Sequence, residues 1–294
     1  MKNRISADRT APLGEKLRLF RESGSKSHRK IAEYLLANYG RGAGMTVSEL
    51  AGETGVSEAT VVRFARALGF KGYPELQQAF QSAVKSRLTA LERLEIVDAR
   101  FGGNVLSATL QSEISSLKAT LEEIDRKTFD EIVGLLLGAR NIYIVATRSA
   151  TALADYLNLY LSMILDNVRL VQFGNGSDLY EQILRIGSGD VLIGITFPRY
   201  SKRTVDAMSI AKQHGAITVA LTDSETSPIA ALSDKALYAK NPVTSFVDSL
   251  VAPMALINAL VTELGRERKE ATASNLAHLE SLWEDYSVYN PEQK

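Results

Sequence analysis

Val47, Leu50 and Ala51 recur at helical spacing, Gly55 interrupts, and a second helical pattern opens at Ser57 with Val61, Val62, Phe64, Ala65 and Leu68. The pattern predicts helix, tight turn, helix. Two further helical patterns precede it between about Lys16 and Tyr39, the second carrying Ile31, Tyr34, Leu35 and Leu36, and one follows Pro74 through Leu76, Phe80 and Val84. Polar, charged sequence then runs to about Gly103, part of it helical by Leu88, Leu91 and Leu94. Next come Leu106, Leu110, Ile114, Leu117, Leu121 and Ile124, spaced 4, 4, 3, 4 and 3, a stripe close to a coiled-coil seam that needs a partner in its own domain or a second subunit.

From Asn141 the rhythm changes to short apolar runs: Ile142–Val145, Val168–Val171, Val191–Ile195 and Ile217–Leu221, alternating with helical segments. Such alternation predicts βαβ units and a parallel sheet covered on both faces, with ligands held beyond the carboxyl ends of the strands. The sequence is thus expected to be α/β, an all-α head followed by a doubly wound parallel sheet.

In the second helix of the head, Ser57 is placed to cap the amino terminus and Gly69 to supply a left-handed carboxyl cap. Its outward positions, Glu58, Ala59, Thr60 and Arg63, are short side chains plus one arginine, which suits entry into a DNA major groove. Ser48-Glu49-Leu50-Ala51, the stretch from Gly55 to Phe64, and Leu68-Gly69-Phe70-Lys71-Gly72-Tyr73 resemble the amino-terminal domain of RpiR-type bacterial transcriptional regulators. The resemblance implies double-stranded operator DNA as a partner. Ala59, Thr60 and Arg63 are then expected at base edges, and Ser57, Lys71 and the backbone near Tyr73 at phosphates. An ordinary helical bundle with a surface arginine is the plain alternative.

Three of the strand ends carry hydroxyls: Thr147, Ser149 and Thr151 after the first run, Thr196, Ser201 and Thr204 after the third, and Thr222 and Ser224 after the fourth. Each loop precedes a helix, so hydroxyls and free N–H groups converge as phosphate binding requires, with Arg148, Arg199, Lys202 and Arg203 adding positive charge. Taken singly, each hydroxyl reads more readily as a helix cap, and it is three strand ends in register that point to a ligand. This half resembles the SIS (sugar isomerase) domain that accompanies the RpiR-type head, including Thr222-Asp223-Ser224, Ser227-Pro228-Ile229-Ala230 and Ser245-Phe246-Val247-Asp248-Ser249. By that resemblance Ser149 matches the first-loop serine and Thr196, Ser201 and Thr204 the hydroxyls of a phosphosugar loop, with Arg199 and Tyr200 beside them as specificity residues. Two positions depart from the family pattern. Ala146-Thr147-Arg148 stand where glycines are usual, and Pro198 where a serine is usual. The expected ligand is a phosphosugar or another small anion that pairs with Arg148 or Arg199.

The chain is 294 residues long and 45% hydrophobic, enough for two cores, and it has no cysteine. Formal charge is zero, yet residues 1–86 hold 14 Lys+Arg against 8 Asp+Glu and the remainder 20 against 26. A positive head on a negative body matches a DNA-binding unit attached to a sensing or oligomerising one. The first thirty residues are charged, with no signal-peptide pattern, and no run of roughly 20 apolar residues is present, so a cytoplasmic protein without a membrane role is expected.

Catalysis of an aldose–ketose isomerisation needs a placed general base. His28, His214 and His278 read as surface or packing residues, Glu181 and Asp206 carry no mark of an acid–base pair, and neither a metal pattern nor a nucleotide fingerprint is present. No cofactor or metal is expected. The sequence therefore predicts a regulator with a DNA-binding head over 1–86, a linker over 87–103, and an effector-binding, dimerising or tetramerising domain over 104–294. A sugar-phosphate isomerase with an added helical domain, or an oligomeric structural protein, remain as alternatives.

Overall fold

The structure, a computed structural model, describes residues 13–38, 42, 44–87, 104–173, 178–241 and 247–289. The basic arm expected over the first residues and most of the expected linker, including Leu88, Leu91 and Leu94, lie outside the described residues, as do Ser245 and Phe246. The chain divides into two compact units, residues 1–93 and 94–294.

The first unit is all helical: α1 (Leu13–Ser23), α2 (Lys26–Ala37), α3 (Val47–Thr54), α4 (Glu58–Ala67) and α5 (Tyr73–Arg87). Its core is built from the apolar faces that the spacing marks, among them Ile31, Leu35, Leu50, Val61, Phe64, Leu68, Leu76 and Phe80. Phe20 meets Phe64 edge-on with centroids 5.7 Å apart, the favoured arrangement of two ring quadrupoles. Thr46 and Glu49 form a reciprocal capping box that starts α3: the Thr46 hydroxyl accepts from the Glu49 N–H at 3.2 Å, and the Glu49 carboxylate from the Thr46 N–H at 2.7 Å. Gly55 ends α3 at φ 62°, in the left-handed region that lets the chain reverse within three residues into α4.

The second unit opens with α6 (Val105–Glu123) and α7 (Arg126–Gly138) and continues as β1 (Ile142–Ala146), α8 (Thr151–Ile164), β2 (Val168–Val171), α9 (Leu179–Gln182), β3 (Val191–Ile195), α10 (Lys202–Gln213), β4 (Ile217–Thr222), β5 (Lys235–Tyr238), α11 (Val251–Glu267) and α12 (Lys269–Asp285). The strands form one parallel sheet in the order β2-β1-β3-β4-β5. β1 and β3 are buried along their whole length, which is why they read as unbroken apolar runs. One face of the sheet packs on α7, α8 and α11 through residues such as Ile132, Leu157 and Ile257; the other packs on α10 through Ala207, Met208 and Ala211. Gly194 leaves room for the Met208 thioether, since a Cβ there would come within 2.6 Å of its sulfur.

The sheet's amino-terminal edge is tied by Asp190, which is fully buried. Burial pushes its carboxyl up, but the Arg140 guanidinium, the Asn141 amide and the Gly187 N–H, all donating to it, more than reverse this and hold it at about 2.

The stripe on α6 behaves differently from a buried seam. Leu117 and Ile124 pack on the core, but Leu106, Leu110, Ile114 and Leu121 are 44–76% exposed. The helix instead presents Ser116 and Thr120 inward, and the Thr120 hydroxyl accepts the Lys240 N–H at 2.9 Å.

Candidate functional sites

In the head, α4 exposes Glu58, Ala59 and Arg63 while burying Val61, Phe64 and Ala65, as its spacing requires. Ser57 caps it, its hydroxyl accepting the Thr60 N–H at 3.3 Å. The Ser57 and Thr60 hydroxyls lie 2.9 Å apart, and the Arg63 guanidinium donates to the Thr60 hydroxyl at 2.8 Å. Three of the expected DNA-contact residues thus form one hydrogen-bonded row on the exposed face. Beneath it His28 packs on Phe64, centroids 5.4 Å apart; burial first, and then the Arg63 charge, lower its pKa.

The side chain of Lys71 is exposed, but its N–H donates to the Glu75 carboxylate. Tyr73 sits elsewhere: its ring is buried, and its hydroxyl donates to the Met45 carbonyl at 2.7 Å, beside a second donor, the Gln77 amide, at 2.8 Å. Burial, then the Glu49 charge, push the Tyr73 hydroxyl up to about 12. The side chain belongs to the core, where it ties α5 to the residue before the α3 cap.

In the second unit a cleft of about 740 Å³ opens at the carboxyl ends of β1, β2 and β3. Strand order reverses between β1 and β3, so the cleft lies at the topological switch point, where the chain leaves the sheet in opposite directions and two loops part. Arg148, Arg199, Tyr200 and Ser201, all expected from the sequence, line it together with Thr147, Thr151, Asp155, Gln172, Phe173, Lys202 and Arg203. Gln172 and Phe173 directly follow β2, where an amide and a ring stand in place of the hydroxyls found at the other strand ends.

The remaining expected residues are not among those lining the cleft. The Ser149 hydroxyl donates to the Asp248 carboxylate at 2.7 Å. Thr196 is buried and its hydroxyl accepts the Ser201 N–H at 3.0 Å, while Ser201 in turn accepts the Thr204 N–H at 3.4 Å and so caps α10. Thr204 is fully buried, and its own hydroxyl has no partner among the described residues. Thr222 donates to Ser227 at 2.8 Å. Hydroxyls that look equivalent in sequence therefore divide into a cleft wall and the struts behind it.

Tyr200 belongs to both sets. Its hydroxyl donates to Asp223 at 2.9 Å, and burial, then the Asp223 charge, raise its pKa far above the ordinary phenol range, so it remains a donor at every physiological pH. This bond pins the β3–α10 loop to the end of β4. Arg148 and Arg199 both hold left-handed backbone, at φ 59° and 73°. For a residue with a Cβ that conformation costs roughly 1–2 kcal/mol. Among the described residues neither guanidinium has a carboxylate partner, whereas Lys202 pairs with Asp206 at 3.3 Å and Arg203 lies over the Phe173 ring at 5.1 Å.

The geometry agrees with what known proteins show. A family model described as the helix-turn-helix domain of the rpiR family matches residues 13–87, and one described as the SIS domain matches residues 135–263. An uncharacterized HTH-type transcriptional regulator of Haemophilus influenzae is 32% identical over 224 residues, 75% of this chain and 77% of its own. Among solved structures, the sugar isomerase domain of an RpiR transcription factor from Sphaerobacter thermophilus covers 60% of this chain and 98% of its own at 25% identity and a TM-score of 0.58. The Vibrio vulnificus NanR protein, complexed with ManNAc-6P, covers 92% of this chain and 97% of its own at 26% identity and a TM-score of 0.58. A helix-turn-helix head followed by a parallel-sheet SIS domain, with these relatives, makes the chain a member of the rpiR family of helix-turn-helix transcriptional regulators.

Proposed function

We propose that this regulator binds a two-fold operator through paired heads and that a small anionic metabolite, a phosphosugar or sugar acid, controls that binding from the SIS-domain cleft. The single observation that carries the effector half is the cleft itself: a sugar-sized space at the switch point, walled by Arg148, Arg199, Lys202 and Arg203. The complex of the related NanR protein with ManNAc-6P supports the same ligand class. Within the cleft Arg148, Arg199, Tyr200 and Ser201 meet the ligand, while the hydroxyls of Ser149, Thr196 and Thr222 act from behind by fixing the loops, and Thr204 supports the Ser201 cap through its backbone N–H.

On the DNA side Ala59, Thr60 and Arg63 meet base edges, with Glu58 beside them, and Ser57, Lys71 and the backbone at Tyr73 meet phosphates. Residues 1–86 serve as the head, 87–103 as the linker and 104–294 as the sensing and pairing domain. Pairing of two copies, or of two such pairs, is supported by the α6 stripe, Leu106, Leu110, Ile114 and Leu121, an apolar row exposed among the described residues and of the kind that a second chain covers. The protein works in the cytoplasm, where its DNA is; among the described residues no helix is long and apolar enough to cross a membrane.

Control is a population shift, since an effector that prefers one arrangement of the heads changes operator affinity by its differential affinity for the two states. The deciding experiment is titration of the protein and its own upstream region with a panel of sugar phosphates and sugar acids at fixed salt. One compound should displace the binding curve; an unmoved curve at saturation of every compound that binds would sink effector control.

A further inference from the structure

We infer that two successive hydrogen bonds, Ser149 to Asp248 and Ser249 to Glu113, are the relay that carries occupancy of the cleft to α6. Asp248, Ser249 and Glu113 are then positioning residues for the regulatory response. The inference rests on the reading of the cleft as the effector site. Arg148, Ser149 and Ala150 make up one short 3₁₀ turn after β1. Arg148 lines the cleft, the neighbouring Ser149 hydroxyl donates to Asp248 at 2.7 Å, and Ala150 is buried. A ligand that draws the Arg148 backbone inward therefore draws Ser149 with it. The left-handed backbone at Arg148, φ 59°, holds the turn away from the conformation its residue prefers, which is how a loop keeps a second position within reach.

Ser249, next to Asp248, is buried and donates to the Glu113 carboxylate on α6. That helix is held unevenly. Its carboxyl end is fastened to the residues after β5, where the Thr120 hydroxyl accepts the Lys240 N–H at 2.9 Å and Glu123 pairs with the Lys240 ammonium. Toward its amino end no residue before Ser116 is buried. From Val105 to Ser116, among the described residues and apart from the Asn104 cap, the Glu113 bond is the one hydrogen bond that leaves the helix. Thr120 thus serves as a pivot and Glu113 as a latch. At 1.5 Å per residue the latch stands about 10 Å from the pivot and Val105 about 22 Å, so a shift at Glu113 is roughly doubled where α6 begins. The chain arrives there from the head, and the exposed stripe proposed for pairing rides on the same lever.

The test uses the full-length protein, its own upstream region, and ManNAc-6P, glucose 6-phosphate, fructose 6-phosphate and 6-phosphogluconate as probes. Operator affinity is measured by anisotropy with and without each probe, and probe binding by calorimetry, well below the melting temperature. In the wild type a bound probe should change operator affinity by about fivefold or more. In Ser249→Ala and Glu113→Ala the same probe should bind within about threefold of wild type, while its effect on operator affinity falls to within about twofold. Ser149→Ala should uncouple the two sites in the same way, and Ser149→Thr, which keeps the hydroxyl, should restore the response. This exposed pair decides the matter where the buried Ser249 variant does not fold. Bonds with a purely structural role would lower the melting temperature and leave the probe's effect intact. A full response in the uncoupling variants, or loss of probe binding in Ser249→Ala and Glu113→Ala, overturns the relay and leaves the effector cleft standing. A wild type that neither these probes nor any other sugar phosphate or sugar acid shifts overturns effector control and the relay together.

Discussion

The Ser149 hydroxyl donates to Asp248 across 2.7 Å, joining the loop after β1 to the segment that leads into α11. The next residue of that segment, Ser249, donates to Glu113 on α6 at 2.5 Å. Two hydrogen bonds thus connect the cleft's first loop to the first helix of the second unit. A serine that resemblance assigns to the ligand thus donates its proton to a carboxylate of its own chain. Ser149→Ala is therefore expected to remove a strut: a loss of about 0.5–1.5 kcal/mol of stability with effector affinity changed by no more than about twofold. Calorimetric melting and effector titration of the same variant check both parts, and a loss of affinity beyond about tenfold would place Ser149 on the ligand instead.

Arg63 is held by Thr60 before DNA arrives. Arg63→Ala should cost about 1–3 kcal/mol at the preferred operator and relax the choice of base at one position. Fluorescence anisotropy with the operator and with scrambled duplexes distinguishes a base contact from a phosphate contact, because an equal loss on every duplex means the latter.

Tyr73 makes the opposite prediction. Its hydroxyl is buried against the Met45 carbonyl, but Gln77 also donates there, so the carbonyl is not orphaned when the hydroxyl goes. Tyr73→Phe should destabilise the head by about 1 kcal/mol and leave operator affinity, measured well below the melting temperature, within about twofold. A large loss of DNA binding with unchanged melting would refute the assignment of this side chain to the core.

His28 is expected to make the head acid-sensitive. Burial, then the Arg63 charge, depress its folded pKa below the ordinary 6.5, so the unfolded chain takes up a proton first as pH falls. The stability it contributes is complete above 6.5 and is lost as pH falls through the lowered value. His28→Gln, which cannot charge, should flatten the loss of thermal stability between about pH 7 and 5, followed on the full chain by circular dichroism.

Asp190 sets a second, more acidic limb. Its folded pKa of about 2 lies below the ordinary 3.8, so its contribution is present above 3.8 and disappears as pH falls through 2. The difference corresponds to roughly 2 kcal/mol. Asp190→Asn should lower stability at neutral pH by at least about that amount, since one of two accepting oxygens becomes an NH2 that faces two donors, and should remove this limb from the pH profile of urea unfolding.

Much of this was legible in the residues, and the exceptions share a physical reason. β1, β3 and β4 announce themselves because burial on both faces demands unbroken apolar runs; β5, Lys235-Ala236-Leu237-Tyr238, does not, because an edge strand tolerates polar residues and gives no run to find. Ser57 and Gly55 were readable because caps and turns depend on neighbours a few residues away. Ser149, Thr196 and Thr222 were readable as hydroxyls near a strand end but not as struts, because what each one bonds is decided by the tertiary fold, for Ser149 by a residue 99 positions along the chain. Tyr73 belongs with them: its place after the reading helix suggests a backbone contact to phosphate, and nothing local shows that its hydroxyl bonds Met45, 28 residues back.

The anchor at Asp190 and the arginines of the cleft stand at opposite ends of the same two strands, β1 and β3, each five residues long. Five residues of extended chain separate them by about 16 Å. Substitutions that far apart, with no shared partner, add in free energy to within about 0.5 kcal/mol. What the domain recognises can therefore drift, loop residue by loop residue, without drawing on what keeps the sheet closed, and one architecture can serve successive regulators as an exchangeable chemical sensor.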